Sequence, residues 1–325
     1  MRQKQTEMKN CFVGIDTSNY TTSVAVADLD GRIVANLKRP LPVKSGECGL
    51  RQSDAVFAHV KNLPDIMAEL STYLSDMTPI AIGVSVTPRD AEGSYMPCFL
   101  SGRAAAYSLS ASCGAEIFEL SHQSGHIMAA AYSSGEADKL LSGRFLAFHV
   151  SGGTTEALLV TPRGDGFDVE IVGGTLDLNA GQLIDRTGVM LGLDFPCGAA
   201  LERLANGFEG KPQKVRVSVK DGYCNLSGIE NKARALYEST GDKAATAALV
   251  FEAVCDNLIA MTKQIMEKYG DSPVLFAGGV MSNTYMREKL RAKFDAYFSE
   301  PAYSADNAAG IALLCRQRFG AKTTN

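Results

Sequence analysis

His122 and His126 stand four residues apart in Leu120-Ser121-His122-Gln123-Ser124-Gly125-His126. On a helix this spacing puts both imidazoles on one face, so that two ring nitrogens can bind one metal ion. The 325-residue chain has 4 histidines, and two of them sit here among small residues. The competing reading is a helix-terminal pair bonded to backbone carbonyls. Asp306 precedes a terminal helix in Tyr303-Ser304-Ala305-Asp306-Asn307. It is either that helix's N-cap or a carboxylate that completes the histidine pair.

A second constellation suits an anion. Phe145 to Val160 reads FLAFHVSGGTTEALLV, two apolar runs around Ser151-Gly152-Gly153-Thr154-Thr155. Such runs predict buried strands joined by a hairpin. Paired glycines let a ligand approach bare backbone N–H groups; an ordinary glycine hairpin is the plain alternative. Cys11 to Asp28 echoes it, with a polar turn from Asp16 to Thr22 about 135 residues earlier and Thr-Thr again opening the outgoing strand. The echo predicts a duplicated unit, and a nucleotide held between two such turns. His149, in the opening strand, is read as a core or cleft-lining residue. Asp185, two turns into a helix capped by Asp177, could hold ribose hydroxyls; a solvent-exposed salt bridge near Arg186 is the plain alternative. Gly198 opens another helix, and Asn283 follows a strand and Gly278-Gly279, where it can reach a base or ribose edge.

The elements that must position these groups follow from periodicity. Strands are expected at Arg32–Leu37, Ile80–Val86, Glu116–Leu120, Phe167–Val172 and Pro273–Ala277. Helices are expected at Asp54–Ser75, kinked or split at Pro64, and at Tyr95–Ser110, after His122, before Arg186, and over Ala199–Ala205, Ile229–Tyr237 and Lys243–Tyr269. Further helices are expected from about Thr284 and over Ala308–Phe319. Lys44–Ser53 is read as a loop, Lys211–Tyr223 as an irregular edge hairpin, and His59 as an exposed or half-buried helix histidine.

Composition narrows the class. The hydrophobic share of 46% is that of a globular protein. No uninterrupted apolar run has the ~18 residues of a bilayer span, and the first ten residues lack an apolar signal core. Both point to a cytoplasmic protein without a membrane role. Eight scattered cysteines form no C-x-x-C pair, which predicts reduced thiols. A net charge of −4 is unlike a dedicated nucleic-acid binder, so an RNA substrate would need a local patch or a partner.

Together the motifs resemble the TsaD family, the catalytic subunits of threonylcarbamoyl-adenosine synthesis in tRNA. The resemblance runs from about Phe12 to Phe319. His122 and His126 match its H-x-x-x-H, and Asp306-Asn307 its late Asp-Asn. Ser151-Gly152-Gly153 match its Ser-Gly-Gly turn, and Asp177, Gly181 and Asp185 its D-x-x-x-G-x-x-x-D. Pro196 and Gly198 match a P-x-G turn, and Gly278-Gly279-Val280 with Asn283 a Gly-Gly-Val-x-x-Asn element. The resemblance implies an α/β fold, the duplicated actin/Hsp70/sugar-kinase (ASKHA) architecture, with two lobes around a nucleotide cleft. Residues 1–144 would form the first lobe, with the helix 306–325 packing back near it, and 145–305 the second. It implies one divalent metal, iron or zinc, on His122, His126 and Asp306. It implies an adenylate or ATP-type nucleotide on His149, Val150, Ser151, Gly152, Gly153, Asp185, Gly198 and Asn283. Asp16 is the remaining candidate for a general base. The donor would be threonylcarbamoyl-AMP, the acceptor an adenosine beside the tRNA anticodon, with TsaB-like and TsaE-like partner subunits.

Four segments depart from the family. Its E-T-S-C-D-E is Asp16-Thr17-Ser18-Asn19-Tyr20-Thr21 here, and its Gly-Pro-Gly region is Val86-Thr87-Pro88-Arg89-Asp90. Thr154 replaces a histidine, and Ser227-Gly228-Ile229-Glu230-Asn231 lacks a lysine. The alternatives are a divergent paralogue using another acceptor or hydrolysing ATP, and a non-catalytic nucleotide-binding subunit.

Overall fold

The computed structural model describes residues 8–18, 20–42 and 50–323. Asn19, Cys48, the residues up to Glu7 and most of the loop expected over Lys44–Ser53 lie outside these. The elements in chain order are β1 (Lys9–Thr17), β2 (Thr21–Asp28), β3 (Ile33–Pro40), α1 (Gln52–Tyr73), β4 (Met77–Thr87), α2 (Phe99–Cys113), β5 (Glu116–Ser121) and α3 (His122–Ser133). Then come α4 (Ala137–Leu141), β6 (Phe145–Val150), β7 (Thr155–Arg163), β8 (Gly166–Thr175), α5 (Ala180–Met190), α6 (Gly198–Asn206), β9 (Val219–Lys220) and β10 (Tyr223–Cys224). The chain continues through α7 (Ser227–Thr240), α8 (Lys243–Tyr269), β11 (Val274–Ala277), α9 (Thr284–Arg291), β12 (Ala296–Phe298), α10 (Pro301–Ser304) and α11 (Ala309–Thr323).

Two sheets carry the architecture, one ordered β3-β2-β1-β4-β5 and the other β12-β11-β6-β7-β8-β10-β9. In the first, β1, β2 and β3 pair antiparallel, and β4 and β5 add in parallel on the other side of β1. In the second, β6 pairs antiparallel with β7, while β11 and β12 add in parallel beside β6. The five-strand plan thus occurs twice, as the sequence echo predicts, and β10-β9 extend the second copy.

The chain divides into two compact units. One comprises Met1–Ser133, Pro162–Asp168 and Ala305–Asn325; the other comprises Ser134–Thr161 and Val169–Ser304. In the first unit β1 is buried from Cys11 to Thr17, because its sheet has helices on both faces and so requires a near-continuous apolar run. Val13, Ile15, Ile82 and Val84 pack with Ile66 and Leu70 of α1. The opposite face receives α11 at backbone distance. A Cβ on Gly14 would stand 2.4 Å from the Ala308 carbonyl oxygen, and one on Gly83 2.8 Å from that of Ile311. The approach of α3 to α11 is tighter still, since a Cβ on Gly310 would lie 1.8 Å from the Gly125 carbonyl oxygen.

In the second unit Phe148, Phe276 and Phe298 form a cross-strand stack with centroid spacings of 5.0 and 5.3 Å. Each pair contributes about 0.5–1.5 kcal/mol beyond its burial, and the stack aligns the strand ends that carry the Ser151 turn and Gly278. The long helix α8 has an 18-residue window with mean hydropathy 1.5, apolar enough by composition to cross a bilayer, but 67% of that window is buried inside the protein. Val250, Val254, Leu258 and Met261 belong to the unit's core.

Several local expectations change. Pro64 lies inside a single helix. Helix α2 begins at Phe99, four residues after the expected Tyr95, with Pro97 in between. His59 is fully buried. The cap of α5 is Asn179, reciprocated by Gln182. Asp177 instead accepts hydrogen bonds from the backbone N–H of Leu226 at 2.8 Å and from the Ser227 hydroxyl at 2.5 Å, which pins the start of α7. Among the described residues every cysteine is a free thiol, and all but Cys113 are buried.

Candidate functional site

In the first unit α3 and the segment before α11 bring three ligand atoms together. Nε2 of His122 and Nε2 of His126 are 2.9 Å apart, and Asp306 Oδ1 lies 3.2 Å from the second and 3.6 Å from the first. One ligand atom from each residue falls within 4.8 Å of the others. Ser121 fixes the helix start, its hydroxyl accepting the Ser124 N–H at 3.1 Å. Asp306 is not the cap of α11, because Asn307 Oδ1 accepts the Ala309 N–H at 3.1 Å. The glycine contacts of α11 with β1, β4 and α3 set where Asp306 arrives.

The set fits a divalent cation. His122 turns Nδ1 to Asp16 Oδ1 at 2.9 Å, and a carboxylate there holds the proton on Nδ1. The Nε2 lone pair then points at a second imidazole and a carboxylate. Once the rings give up any Nε2 proton, three lone pairs converge on one point, where a cation would relieve their repulsion. Atoms bound to one ion at about 2.1 Å stand about 3 Å apart, close to the separations found. Two histidines and one carboxylate also leave coordination positions open.

Asp16 itself is enclosed, at 0% exposure. Its Oδ1 accepts from His122 and from the Ser85 hydroxyl, while Oδ2 is buried without a hydrogen-bond partner. Burial opposes its charge, yet His122 outweighs burial and holds its pKa below the usual value. Burial likewise opposes a charge on His122, and Asp16, followed by Asp306, overcomes it and raises that pKa to about 9. For Asp306 burial is again outweighed, by the hydrogen bond from His126 and the two ring charges, and its carboxyl is held well below the carboxylate range.

Two neighbouring devices steady this site. The Thr87–Asp90 segment docks on the first turn of α3. Asp90 Oδ2 accepts the hydroxyls of Ser121 at 2.5 Å and Ser124 at 2.7 Å, and the Pro88 carbonyl accepts the Gln123 N–H at 3.0 Å. His59 ties α1 to the turn after β1. Its Nε2 donates to the Ser18 carbonyl at 2.7 Å, so Nδ1, 2.8 Å from the Thr22 hydroxyl, is the acceptor.

The second unit holds a cavity of about 350 Å³ lined by Ser151, Gly152, Asp185, Gly198, Glu202 and Asn283, along with Gly181, Pro196 and Gly279. That volume lies in the range of small-ligand sites. A Cβ on Gly181 would lie 2.6 Å from the Gly152 nitrogen, so helix α5 packs directly under the Ser151 turn. Asp185 Oδ1 accepts the Cys197 N–H at 2.8 Å, which holds the turn before Gly198. Asn283 Oδ1 caps α9 through the Met286 N–H at 2.9 Å. His149, Val150 and Gly153 are not among the lining residues. Val150 instead sets the close backbone approach of Gly278, where a Cβ would lie 2.3 Å from the Val150 carbonyl oxygen.

Sequence reading missed Ser85 and Glu202. A lone polar residue in the buried run Ile80-Ala81-Ile82-Gly83-Val84-Ser85-Val86 is a signal for the first. Glu202 lies one helical turn after Gly198, on the same face. It lines the cavity and accepts both the N–H and the hydroxyl of Thr284 at 2.8 Å.

A family model described as TsaD, tRNA N6-adenosine threonylcarbamoyltransferase, matches residues 52–313. The chain belongs to the TsaD family. TsaD is a family of acyltransferases, and its curated members include relatives at 29% identity. The tRNA N6-adenosine threonylcarbamoyltransferase of Thermotoga neapolitana aligns over 92% of this chain and 91% of its own length. That of Streptococcus suis, also 29% identical, aligns over 95% and 92%. Among solved structures, full-length HypF in its phosphate- and nucleotide-bound form matches 99% of this TsaD-family chain with TM-score 0.58 and 14% identity. The chain spans 56% of that protein's length. A ROK family glucokinase from Streptomyces griseus matches 94% of this chain and 99% of its own, with TM-score 0.53 and 13% identity. With the repeated sheet plan, these likenesses place the TsaD-family chain in the duplicated ASKHA fold class.

Proposed function

We propose that this chain transfers the threonylcarbamoyl group of threonylcarbamoyl-AMP to the N6 amine of the adenosine beside the tRNA anticodon. The observation that carries the reading is the convergence of His122, His126 and Asp306, backed by Asp16, in a TsaD-family chain. The amine nitrogen attacks the carbamoyl carbon, the bond from that carbon to the phosphate oxygen breaks, AMP leaves, and the amine gives up a proton. A divalent ion, iron or zinc, on the triad would orient the acyl group and polarise its carbonyl. The Ser151-Gly152-Gly153 turn takes phosphate, and Asp185, Gly198, Glu202 and Asn283 take the nucleoside; His149 and Val150 act by placing that turn. Asp16, enclosed and bonded to His122, holds that ring in place of serving as a general base.

TsaB-like and TsaE-like subunits belong to the same reading, as does a cytoplasmic location. Exposed Phe57 and Val60 on α1, and Leu100 and Tyr107 on α2, support a protein partner. The docked Thr87–Asp90 segment and the exposed Tyr20 favour one second reading: the same transfer chemistry on a different acceptor. The test is to supply purified protein with threonylcarbamoyl-AMP and unmodified tRNA, with and without the partner subunits, and to look for the modified nucleoside by mass spectrometry. Absence of product in every combination overturns the tRNA reading. Donor consumed by another amine would establish the second.

A further inference from the structure

A basic run precedes β10 in the second unit. Residues 211–220 read KPQKVRVSVK, four cations and no carboxylate in a chain whose net charge is −4. Carboxylates stand at its flanks, at Glu209 and Asp221. Valine and polar residues alternate from Lys214 to Lys220, which is the period of an extended chain. Val215 and Val219 pack against the unit's core, while Lys214, Arg216, Ser218 and Lys220 are exposed. The run is held along α8. The Ser218 N–H donates to Asn257 Oδ1 at 3.3 Å, and Gln264 Nε2 donates to the Val219 carbonyl at 3.2 Å. Two carboxylates of α8 in this neighbourhood are already matched, since Lys289 Nζ lies 2.8 Å from both Glu252 and Asp256. Burial opposes the charge of Glu252, and Lys289 and Tyr285, followed by Lys214, outweigh it and hold that pKa below its ordinary value. The side chains of Lys211, Arg216 and Lys220 form no ion pair among the described residues.

We infer that this run is a docking strip for the phosphate backbone of tRNA, with Lys211, Lys214, Arg216 and Lys220 as its contacts. The inference rests on the proposed function, to which it adds the surface that takes the RNA. Charge, reach and composition support it. A protein of net negative charge needs a local concentration of cations to hold a polyanion, and this run supplies one without an anion inside it. Six residues of extended chain from Lys214 to Lys220 span about 20 Å. A nucleic-acid strand carries a phosphate about every 3.4 Å along a helix axis, so the strip faces several at once. Gln213 and Ser218 add the amide and hydroxyl that join arginine and lysine in phosphate contacts. A protein partner fits less well, because protein interfaces are depleted in lysine and centre on buried apolar anchors. Here Val215 and Val219 turn inward and the cations outward.

The experiment measures binding of unmodified tRNA across a salt series, with and without the partner subunits. It compares the wild-type full chain with a triple variant, Lys211→Gln, Arg216→Gln and Lys220→Gln. A second triple variant, Lys9→Gln, Lys243→Gln and Lys293→Gln, removes the same charge from exposed positions elsewhere. AMP binding and urea unfolding are measured for each. The strip variant should bind tRNA about tenfold or more weakly, and its salt slope should fall by about 2–3, near one for each lost phosphate contact. Its AMP binding and unfolding midpoint should match wild type, and the second variant should bind tRNA as wild type does. Undiminished tRNA binding by the strip variant, or an equal loss in the second variant, overturns the inference. So does a strip variant that also loses AMP binding or stability, or a wild type that binds no tRNA in either state. A loss confined to a partner subunit assigns the strip to a protein and overturns it as well. tRNA that is bound through the strip but never modified, with donor and partners present, overturns the proposed function and leaves the docking strip standing.

Discussion

Asp16 Oδ1 lies 2.9 Å from His122 Nδ1, on the far side of the imidazole from His126 and Asp306. The carboxylate sets the tautomer that His122 offers to a metal, and Ser85 holds the carboxylate. Replacing Asp16 by Asn should lower metal affinity about 10–100-fold, the usual loss for a removed outer-sphere partner. Metal content after equilibrium dialysis measures it. Affinity equal to wild type would contradict the orienting role.

A metal on the proposed triad would compete with a proton for His122. Its pKa, raised to about 9 chiefly because Asp16 overcomes burial, keeps the ring protonated at neutral pH when no ion is bound. Each ion entering must displace that proton, so apparent affinity should rise about tenfold per pH unit up to about pH 9 and then level off. Calorimetry in buffers of different ionisation enthalpy would count the proton released. A flat pH profile between 6 and 9 would exclude the coupling.

Helix α11 reaches the triad through contacts that admit no side chain. Gly310→Ala would drive a Cβ into the Gly125 carbonyl oxygen, so α3 and α11 must part. The expected cost is about 1–3 kcal/mol of stability, together with weakened metal binding as Asp306 withdraws. Gly320→Ala, on the same helix with open space around it, should leave metal binding unchanged. Urea unfolding with a metal titration separates the two variants.

His59 is buried as a neutral ring, and burial depresses its pKa below 6.5. The unfolded chain therefore takes up the proton first as pH falls. The stability this group contributes is intact above about pH 6.5 and diminishes below it, toward the depressed folded value. His59→Gln should flatten the pH dependence of the unfolding midpoint between pH 6.5 and 5. An equally steep dependence in the variant would assign the acid loss to other groups.

On the proposed function Asn283 has two separable tasks, capping α9 with its carbonyl and offering its amide to a nucleotide. Asn283→Ala should cost about 1 kcal/mol of stability, as lost caps do, and weaken AMP binding. Asn283→Asp keeps the cap, so it should restore stability but not AMP affinity. If Asp also restores binding, the amide is not used.

Much of the fold was legible because both hairpins announce themselves as apolar runs around glycine or hydroxyl-rich turns, and the duplicated sheet order follows from them. The histidine pair was legible because helical periodicity alone places both rings on one side. What stayed hidden depended on partners distant in sequence. Asp177 precedes a helix with a capping residue's side chain, yet Asn179 and Gln182 form a reciprocal pair closer to it, and Asp177 serves a helix 50 residues later. Asp306 and Asn307 are both competent caps, and only the approach of α3 decides between them. His59 reads as an outward helix residue until Thr22 and the Ser18 carbonyl arrive to satisfy both nitrogens. Glu202 carries no motif; its position becomes informative once Thr284 lies against it.

His126 and Asp306 are 180 residues apart, and the whole of the second unit is encoded between them. On the ribosome the two histidines emerge early and wait. The glycine tracks of β1 and β4 stay uncovered until α11 follows. Although domains generally fold in the order of their synthesis, here the unit begun first is completed last. A metal held by all three groups would thereby have to wait for α11, and a chain stalled before Asp306 would carry both imidazoles without the complete chelate.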